Sequence, residues 1–265
     1  MKDFMITESV DIAPSNDNFR LHTHDYYELF VFGEGDACHI VEGSSYRLEK
    51  DDMIILRPDE MHRVRHNSPA KYRRTVISVG SDFFRANCPE YERFFWNREC
   101  GKQNLLSSEV CRAFGVTDAL LRVKSYSSDY ENLSEPAAKA AFVEMLYLVS
   151  RAADRSRNAA AYGKAAPVIG YINGHIAEDI TLSSLAEKFF MSKAYLCRLF
   201  HLSTGLTVGE YLARKRVLEA ERCYREGMSI LSSCLAAGFS DYSSFYRTYK
   251  KVRGQSPKTG MKRCI

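Results

Sequence analysis

Twice in its last hundred residues the chain writes the same local plan: a short helix with one apolar face, a tight turn, a capping residue and a second helix. In the first copy Leu182, Leu185, Ala186 and Phe189 share a helical face, and Ser192 caps a helix that turns Leu196, Leu199 and Phe200 inward. Ala186 is small where a second helix must cross closely. In the second copy Ile230, Cys234 and Phe239 precede the cap Asp241, and Phe245 and Tyr249 form the inward stripe. Between the copies, 208–225 reads as one long helix with Leu212, Val217 and Cys223 among its apolar positions. A repeated helix-turn-helix joined by a rigid connector predicts an all-α unit whose second helices are held at a fixed separation. Such spacing suits successive major grooves on one face of double-stranded DNA.

The outward residues of those second helices are Lys193, Ala194, Cys197, Arg198 and His201 in the first copy. In the second copy they are Tyr242, Ser243, Tyr246, Arg247 and Lys250. Charge is distributed to match: from Pro167 onward there are 15 Lys and Arg against 8 Asp and Glu, whereas the first 166 residues hold 22 against 25. Only the C-terminal part is therefore expected to face a polyanion.

The ordered series Leu185-Ala186, Met191-Ser192, Leu196-x-Arg198-x-Phe200, Thr204-Gly205, Arg216, Ala220, Ile230, Gly238-Phe239, Phe245-x-Arg247 and Gly254-x-Ser256-Pro257 resembles the signature of the AraC/XylS family. The resemblance covers residues 165 to 263 and implies a two-motif DNA-binding domain attached to a sensing domain. On matching positions it implies base contacts by Ala194, Cys197 and Arg198, and by Tyr242, Ser243 and Arg247. Ala194 and Cys197 offer little hydrogen bonding, so base reading in the first motif is expected to rest on Arg198, with Lys193 on phosphate. Ser233 and Cys234 stand where the family prefers a branched apolar residue and alanine, which predicts looser packing of the second motif.

Upstream, apolar residues alternate in strand fashion from about residue 19 to 80: Tyr27, Leu29 and Val31; Cys38, Ile40 and Val41; 53–56; and 76–79. Turn residues at 33–36, 42–45 and 57–60 separate them, which predicts a small barrel or sandwich. Helical periodicity follows from Ser81, most clearly from Pro136 to Arg151, and the helix at 137–153 is a candidate for self-association or for packing on its own barrel. A small and polar stretch, 156–166, reads as a linker. The expected class is α+β, with a cupin-like sensing and dimerisation domain at 1–157, a linker at 158–166 and an all-α double helix-turn-helix domain at 167–265.

Inside the barrel segment, His22-x-His24-x-x-x-Glu28 is followed by Pro58-Asp59-Glu60-Met61-His62, and side chains repeating every two residues would place His22, His24 and Glu28 on one face. This pattern resembles a cupin, which implies a pocket lined by those residues and His62. Asp51-Asp52 replaces the glycine that often opens the second cupin motif. A small effector bound without metal by His22, His24, Tyr27, Glu28 and His62 is the favoured occupant, hydroxyl-rich ligands such as carbohydrates suiting such a wet pocket. The other occupant is a divalent metal on His22, His24, Glu28 and His62, and it keeps open a different class of function, a metal-dependent cupin enzyme with a helical appendage. A protein-only interaction module would leave the paired helices and the basic surplus unexplained.

Composition bounds the rest. With 45% apolar and 26% charged residues the chain is ordinary globular protein, not fibre or disordered tail. No apolar run reaches bilayer length and no leader-like apolar run opens the sequence, so a cytoplasmic, membrane-free protein is expected. Eight cysteines without a paired spacing read as reduced thiols. The expected partners are promoter DNA, a small effector, RNA polymerase and a second copy of the chain; no catalytic residues and no resident cofactor are expected.

Overall fold

The computed structural model describes residues 4–127, 134–155 and 164–261. The chain divides into two compact units, Met1–Gly163 and Lys164–Ile265.

Among its described residues the first unit holds eight strands: β1 (Phe4–Asp11), β2 (Tyr27–Glu34), β3 (Ala37–Val41), β4 (Ser44–Arg47), β5 (Met53–Leu56), β6 (His62–His66), β7 (Tyr72–Val79) and β8 (Leu105–Leu106). They form a five-stranded sheet in the order β1-β7-β2-β5-β8 and a three-stranded sheet in the order β4-β3-β6. Every pairing is antiparallel. An isolated bridge between His22 and His62 ties the segment before β2 to the smaller sheet.

Strand β2 is buried along most of its length, because the larger sheet is covered on both faces. Alternation divides the labour. Tyr27, Leu29 and Val31, with Ile55, Ile77 and Val79, pack on helices α1 (Ser81–Asn87), α2 (Arg93–Trp96) and α5 (Ser134–Arg155) through Phe83, Phe84, Phe95, Phe142 and Met145. Phe30 and Phe32, with Ile54 and Leu56, face the smaller sheet and meet Val41, Tyr46 and Val64. Two further helices among the described residues are α3 (Ser108–Ala113) and α4 (Val116–Ser127), and α4 lies along α5 with an Arg122–Glu144 ion pair of 2.8 Å.

The apolar stripe of α5, from Ala141 and Phe142 through Val149 to Ala152, is buried in this core. Of the two roles expected for that stripe it serves the one within the chain. The exposed apolar residues nearby are Leu121 and Tyr126 on α4 and Tyr147 on α5.

A buried polar knot ties the turn between β5 and β6 to the segment before β8. Glu60, 1% exposed, receives both guanidinium edges of Arg98 at 2.6 and 2.7 Å, the Gly101 N–H at 2.8 Å and the Asn104 amide at 3.2 Å. Burial alone would raise its pKa, but Arg98 overrides that and brings it down to about 2.

The second unit is helical: α6 (Ala166–Gly174), α7 (Leu182–Lys188), α8 (Lys193–Thr204), α9 (Val208–Arg225), α10 (Ile230–Ala236), α11 (Tyr242–Arg253) and α12 (Pro257–Gly260). Ala166 opens α6 with Pro167 in its first turn, and Ala165 is fully buried, so the end of the expected linker belongs to this unit. Residues 156–163, the rest of that linker, lie outside the described residues. Among the described residues seven cysteines are free thiols, and no helix is long and apolar enough to cross a membrane.

Candidate functional site

The C-terminal unit repeats itself in detail. Helices α7 and α10 are each 7 residues long, and α8 and α11 are each 12. Ser192 Oγ accepts the Tyr195 N–H at 3.2 Å and Asp241 accepts the Ser244 N–H at 2.7 Å, so both second helices start at the expected caps. Both end on a left-handed glycine, Gly205 or Gly254. The turn before each is closed by the same backbone bond, Met191 N–H to Ala186 O and Phe239 N–H to Cys234 O. The left-handed residue in that turn is Gly238 (φ +86°) in the second motif and Phe190 (φ +52°) in the first. An added Cβ on Gly238 would lie 2.7 Å from the Ala177 Cα, so that position combines a turn requirement with a close approach.

Helix α9 is the shared support. Its capping box, Thr207 with Glu210, fixes its start, Tyr211 meets Phe200 of α8 ring to ring at 5.4 Å, and Glu221 takes the Tyr249 hydroxyl at 2.8 Å and the Arg253 guanidinium of α11. With Leu196 and Phe200 inward on α8, and Phe245 and Tyr249 inward on α11, the outer faces are left to Lys193, Ala194, Cys197, Arg198 and His201, and to Ser243, Tyr246, Arg247 and Lys250, all exposed. Tyr242 is half-buried, its ring 6.0 Å from Phe245. Ser233 and Cys234, expected to loosen the second motif, are fully buried there, and the Ser233 hydroxyl has no hydrogen-bond partner.

In the barrel, a cavity of about 270 Å³ is lined among others by Phe19, His22, Tyr26, Glu28, His39 and Arg74. His62 borders it as well. His24 Nε2 lies 3.0 Å from Glu28 Oε2. The imidazoles are aimed by backbone carbonyls: His22 Nδ1 meets Arg20 O at 2.9 Å, His24 Nδ1 meets Tyr26 O at 2.9 Å and His62 Nδ1 meets Glu60 O at 2.8 Å. Their Nε2 atoms are thereby left to face other groups. Burial opposes ionisation of Glu28, but the His24 contact and the neighbouring imidazoles bring its pKa down to about 2. Burial lowers His62 to about 4 and His39 to about 3, keeping both rings neutral at pH 7.

Two expected pocket residues do not line the cavity: His24, which bears on Glu28, and Tyr27. Tyr27 follows Tyr26 and precedes Glu28 on β2, so strand alternation turns it to the helix side, where its hydroxyl bonds Glu92 and accepts the Trp96 Nε1–H at 2.8 Å. Tyr26 takes the cavity position instead. The segment from His22 to Glu28 is also not one strand: β2 starts at Tyr27, and a bend at Asp25 and Tyr26 brings His24 onto Glu28. His24, Glu28 and His62 present ligand atoms within 4.8 Å of one another, a donor set that fits a divalent transition metal, whereas exposed His22 stands outside it. His39 and Arg74 were not anticipated, since they reach the cavity from β3 and β7 and share no motif with the other residues.

Comparison with known proteins places both halves. Residues 12–114 match the family model of an AraC-like ligand binding domain, and residues 185–263 match that of a helix-turn-helix domain. The chain belongs to the AraC/XylS family of transcription regulators. Among curated AraC-family relatives, the HTH-type transcriptional activator RhaS of Yersinia pestis is 23% identical over 97% of this chain and 95% of its own length. RhaS of Yersinia pseudotuberculosis matches to the same extent. Among solved structures, ToxT from Vibrio cholerae is 15% identical, with 98% of each chain covered and a TM-score of 0.40. The DNA-binding domain of AdpA, solved with a target DNA, is 25% identical over 36% of this chain and 86% of its own, with a TM-score of 0.34. This AraC-family chain is thus a DNA-binding transcription regulator with a ligand-binding barrel.

Proposed function

We propose that this regulator is a cytoplasmic activator that reads promoter DNA with α8 and α11 and is governed by a small effector in the barrel cavity. The observation that carries the DNA assignment is the duplicated pair of capped helices on one support, with Lys193, Ala194, Cys197 and Arg198 outward on one and Ser243, Tyr246, Arg247 and Lys250 outward on the other. Arg198 and Arg247 are the residues able to address guanine edges bidentately; Lys193 and Lys250 suit phosphate, and Tyr242 supports the second helix from its half-buried place. Activation through RNA polymerase is inferred from the curated relatives, which are named transcriptional activators.

The effector role belongs to His22, Tyr26, Glu28 and His62 around the cavity, with His24 holding Glu28 from beside it. Its volume, just under the roughly 300–1,000 Å³ of pockets for drug-sized ligands, suits a molecule of monosaccharide size. The barrel is read as a sensor, not an enzyme. Effector binding acts by differing in affinity between two arrangements of the regulator, as any allosteric ligand must. A homodimer would use the outer face of α4 and α5, where Leu121, Tyr126 and Tyr147 are exposed.

The test is a mobility-shift assay of the purified chain on the DNA upstream of its own gene, with nonspecific competitor, comparing wild type with Arg198→Ala and Arg247→Ala. Each substitution is expected to weaken specific binding by about 1–3 kcal/mol. Competitor-sensitive binding indifferent to both would reduce the C-terminal unit to a basic surface and refute the assignment.

A further inference from the structure

The cavity has two unlike ends. On β7 the residues facing it are Arg74, Val76 and Ser78; on β2 they are Phe30 and Glu28; on β1 they are Ser9, Thr7 and Met5. The strand register stacks them in layers: Ser9 and Arg74 at one end, Thr7, Val76 and Phe30 in the middle, and Met5, Ser78 and Glu28 at the other. Arg74 and Glu28 are therefore separated by four residues of strand, about 13 Å at the Cα atoms. The far end also holds the buried His62, whose Nε2 is without a hydrogen-bond partner; the buried His39, against Phe30 at 4.8 Å, carries an unpartnered Nδ1.

Arg74 is held between aromatic rings and beside the Tyr72 hydroxyl rather than in an ion pair. Its guanidinium lies 5.2 Å from the Phe19 ring centroid and 5.4 Å from that of Tyr72, and no carboxylate lies within ion-pair reach of it among the described residues. Glu28, the acid in the cavity lining, sits at the opposite end and is engaged by His24 at 3.0 Å. A stacked guanidinium keeps its N–H edge free for a planar anion, and stacking reduces the freedom lost when that anion arrives. A cation fixed on a cavity wall without its counter-charge is most simply completed by the ligand.

We propose that the cavity selects an anionic effector: a short hydroxy acid or sugar acid whose carboxylate meets Arg74 and whose hydroxyls meet Glu28 and His62. This rests on the assignment of the cavity as the effector site and narrows its ligand from hydroxyl-rich molecules in general to acids among them. Val76, Val64 and Phe30 line the middle, where the carbon skeleton would lie. The two polar ends fix its direction, and the charge-assisted end separates an acid from the neutral sugar of the same shape.

The experiment is calorimetric titration of the full chain with two matched pairs, D-galacturonate against D-galactose and D-glucuronate against D-glucose, for wild type, Arg74→Met and Arg74→Lys. The expected result is saturable binding of at least one acid, about 10- to 100-fold tighter than its neutral partner. Arg74→Met should erase that ratio and Arg74→Lys should restore part of it, with Trp96 fluorescence confirming that each variant is folded. Equal affinity for acid and neutral sugar, or acid binding that survives Arg74→Met, overturns the charge assignment while leaving the cavity as effector site. Saturable binding of neither member of either pair overturns both.

Discussion

Arg98→Met tests how the barrel is held in register for its ligand. Glu60 is fully buried and its carboxylate is bound by Arg98, Gly101 and Asn104, so removing Arg98 strands a charge away from water. The drop of the Glu60 pKa from 4.5 to about 2, at 1.36 kcal/mol per unit, corresponds to roughly 3 kcal/mol at pH 7. Loss of one partner of a buried pair costs about 3–5 kcal/mol by analogy with other proteins. Because the folded pKa lies below the unfolded one, this stabilisation is complete above about pH 4.5 and is lost as pH falls toward 2. Urea denaturation followed by the fluorescence of Trp96, the single tryptophan, isolates the N-terminal unit. The expected penalty is about 3–5 kcal/mol at pH 7, and the gap between wild type and variant should narrow at pH 4 and below. A penalty under about 1 kcal/mol, or one unchanged by pH, would refute the electrostatic account and leave only packing. The same variant should disturb the cavity, because the Glu60 carbonyl that orients His62 belongs to the turn that Arg98 anchors.

Gly238→Ala should destabilise the C-terminal unit by roughly 1–3 kcal/mol or more and weaken DNA binding, since its φ is left-handed and its new Cβ would strike the Ala177 backbone; thermal denaturation followed by circular dichroism checks the first and mobility shift the second. Ser233→Ala should do the opposite, raising stability by about 1 kcal/mol by removing a buried hydroxyl without a partner, and an unchanged or lowered melting temperature would mean that the hydroxyl is satisfied in solution. Specific DNA binding should withstand EDTA and dialysis. Metal retained stoichiometrically through that treatment, with chemistry lost in His24→Ala, would favour instead the metal-dependent enzyme that His24, Glu28 and His62 are chemically able to support.

What could be read in advance follows how far apart in sequence the interacting groups lie. The two helix-turn-helix motifs were legible because their determinants are local: Ser192 and Asp241 cap within one turn, and the inward stripes obey a helical period. His24, Glu28 and His62 were legible as a motif, yet the strand rule applied to them was wrong in detail, since a bend before Tyr27 and not a continuous strand brings His24 to Glu28. The same rule, applied consistently, would have excluded Tyr27. Strand β6 carried an alternation that could have been seen, with His62, Val64 and His66 buried between half-buried Arg63 and Arg65. His39 and Arg74 had no such signal, because their neighbours in the cavity come from strand pairing across long stretches of chain.

Strand β2 is a wall one residue thick, and β7 beside it is built the same way. Even-numbered positions from Glu28 to Phe32 and from Arg74 to Ser78 face the barrel interior, while odd-numbered ones from Tyr27 to Val31 and from Thr75 to Val79 face the helices. Substitutions at the first set can retune what the barrel accepts without touching the packing that the second set maintains. The two sets nonetheless share one backbone. A ligand that pulls on Glu28 also moves Tyr27 and, through its hydroxyl, the indole of Trp96. The chain therefore carries a native optical probe, a half-exposed indole on the helix side of the sheet, one residue and one hydrogen bond removed from the cavity.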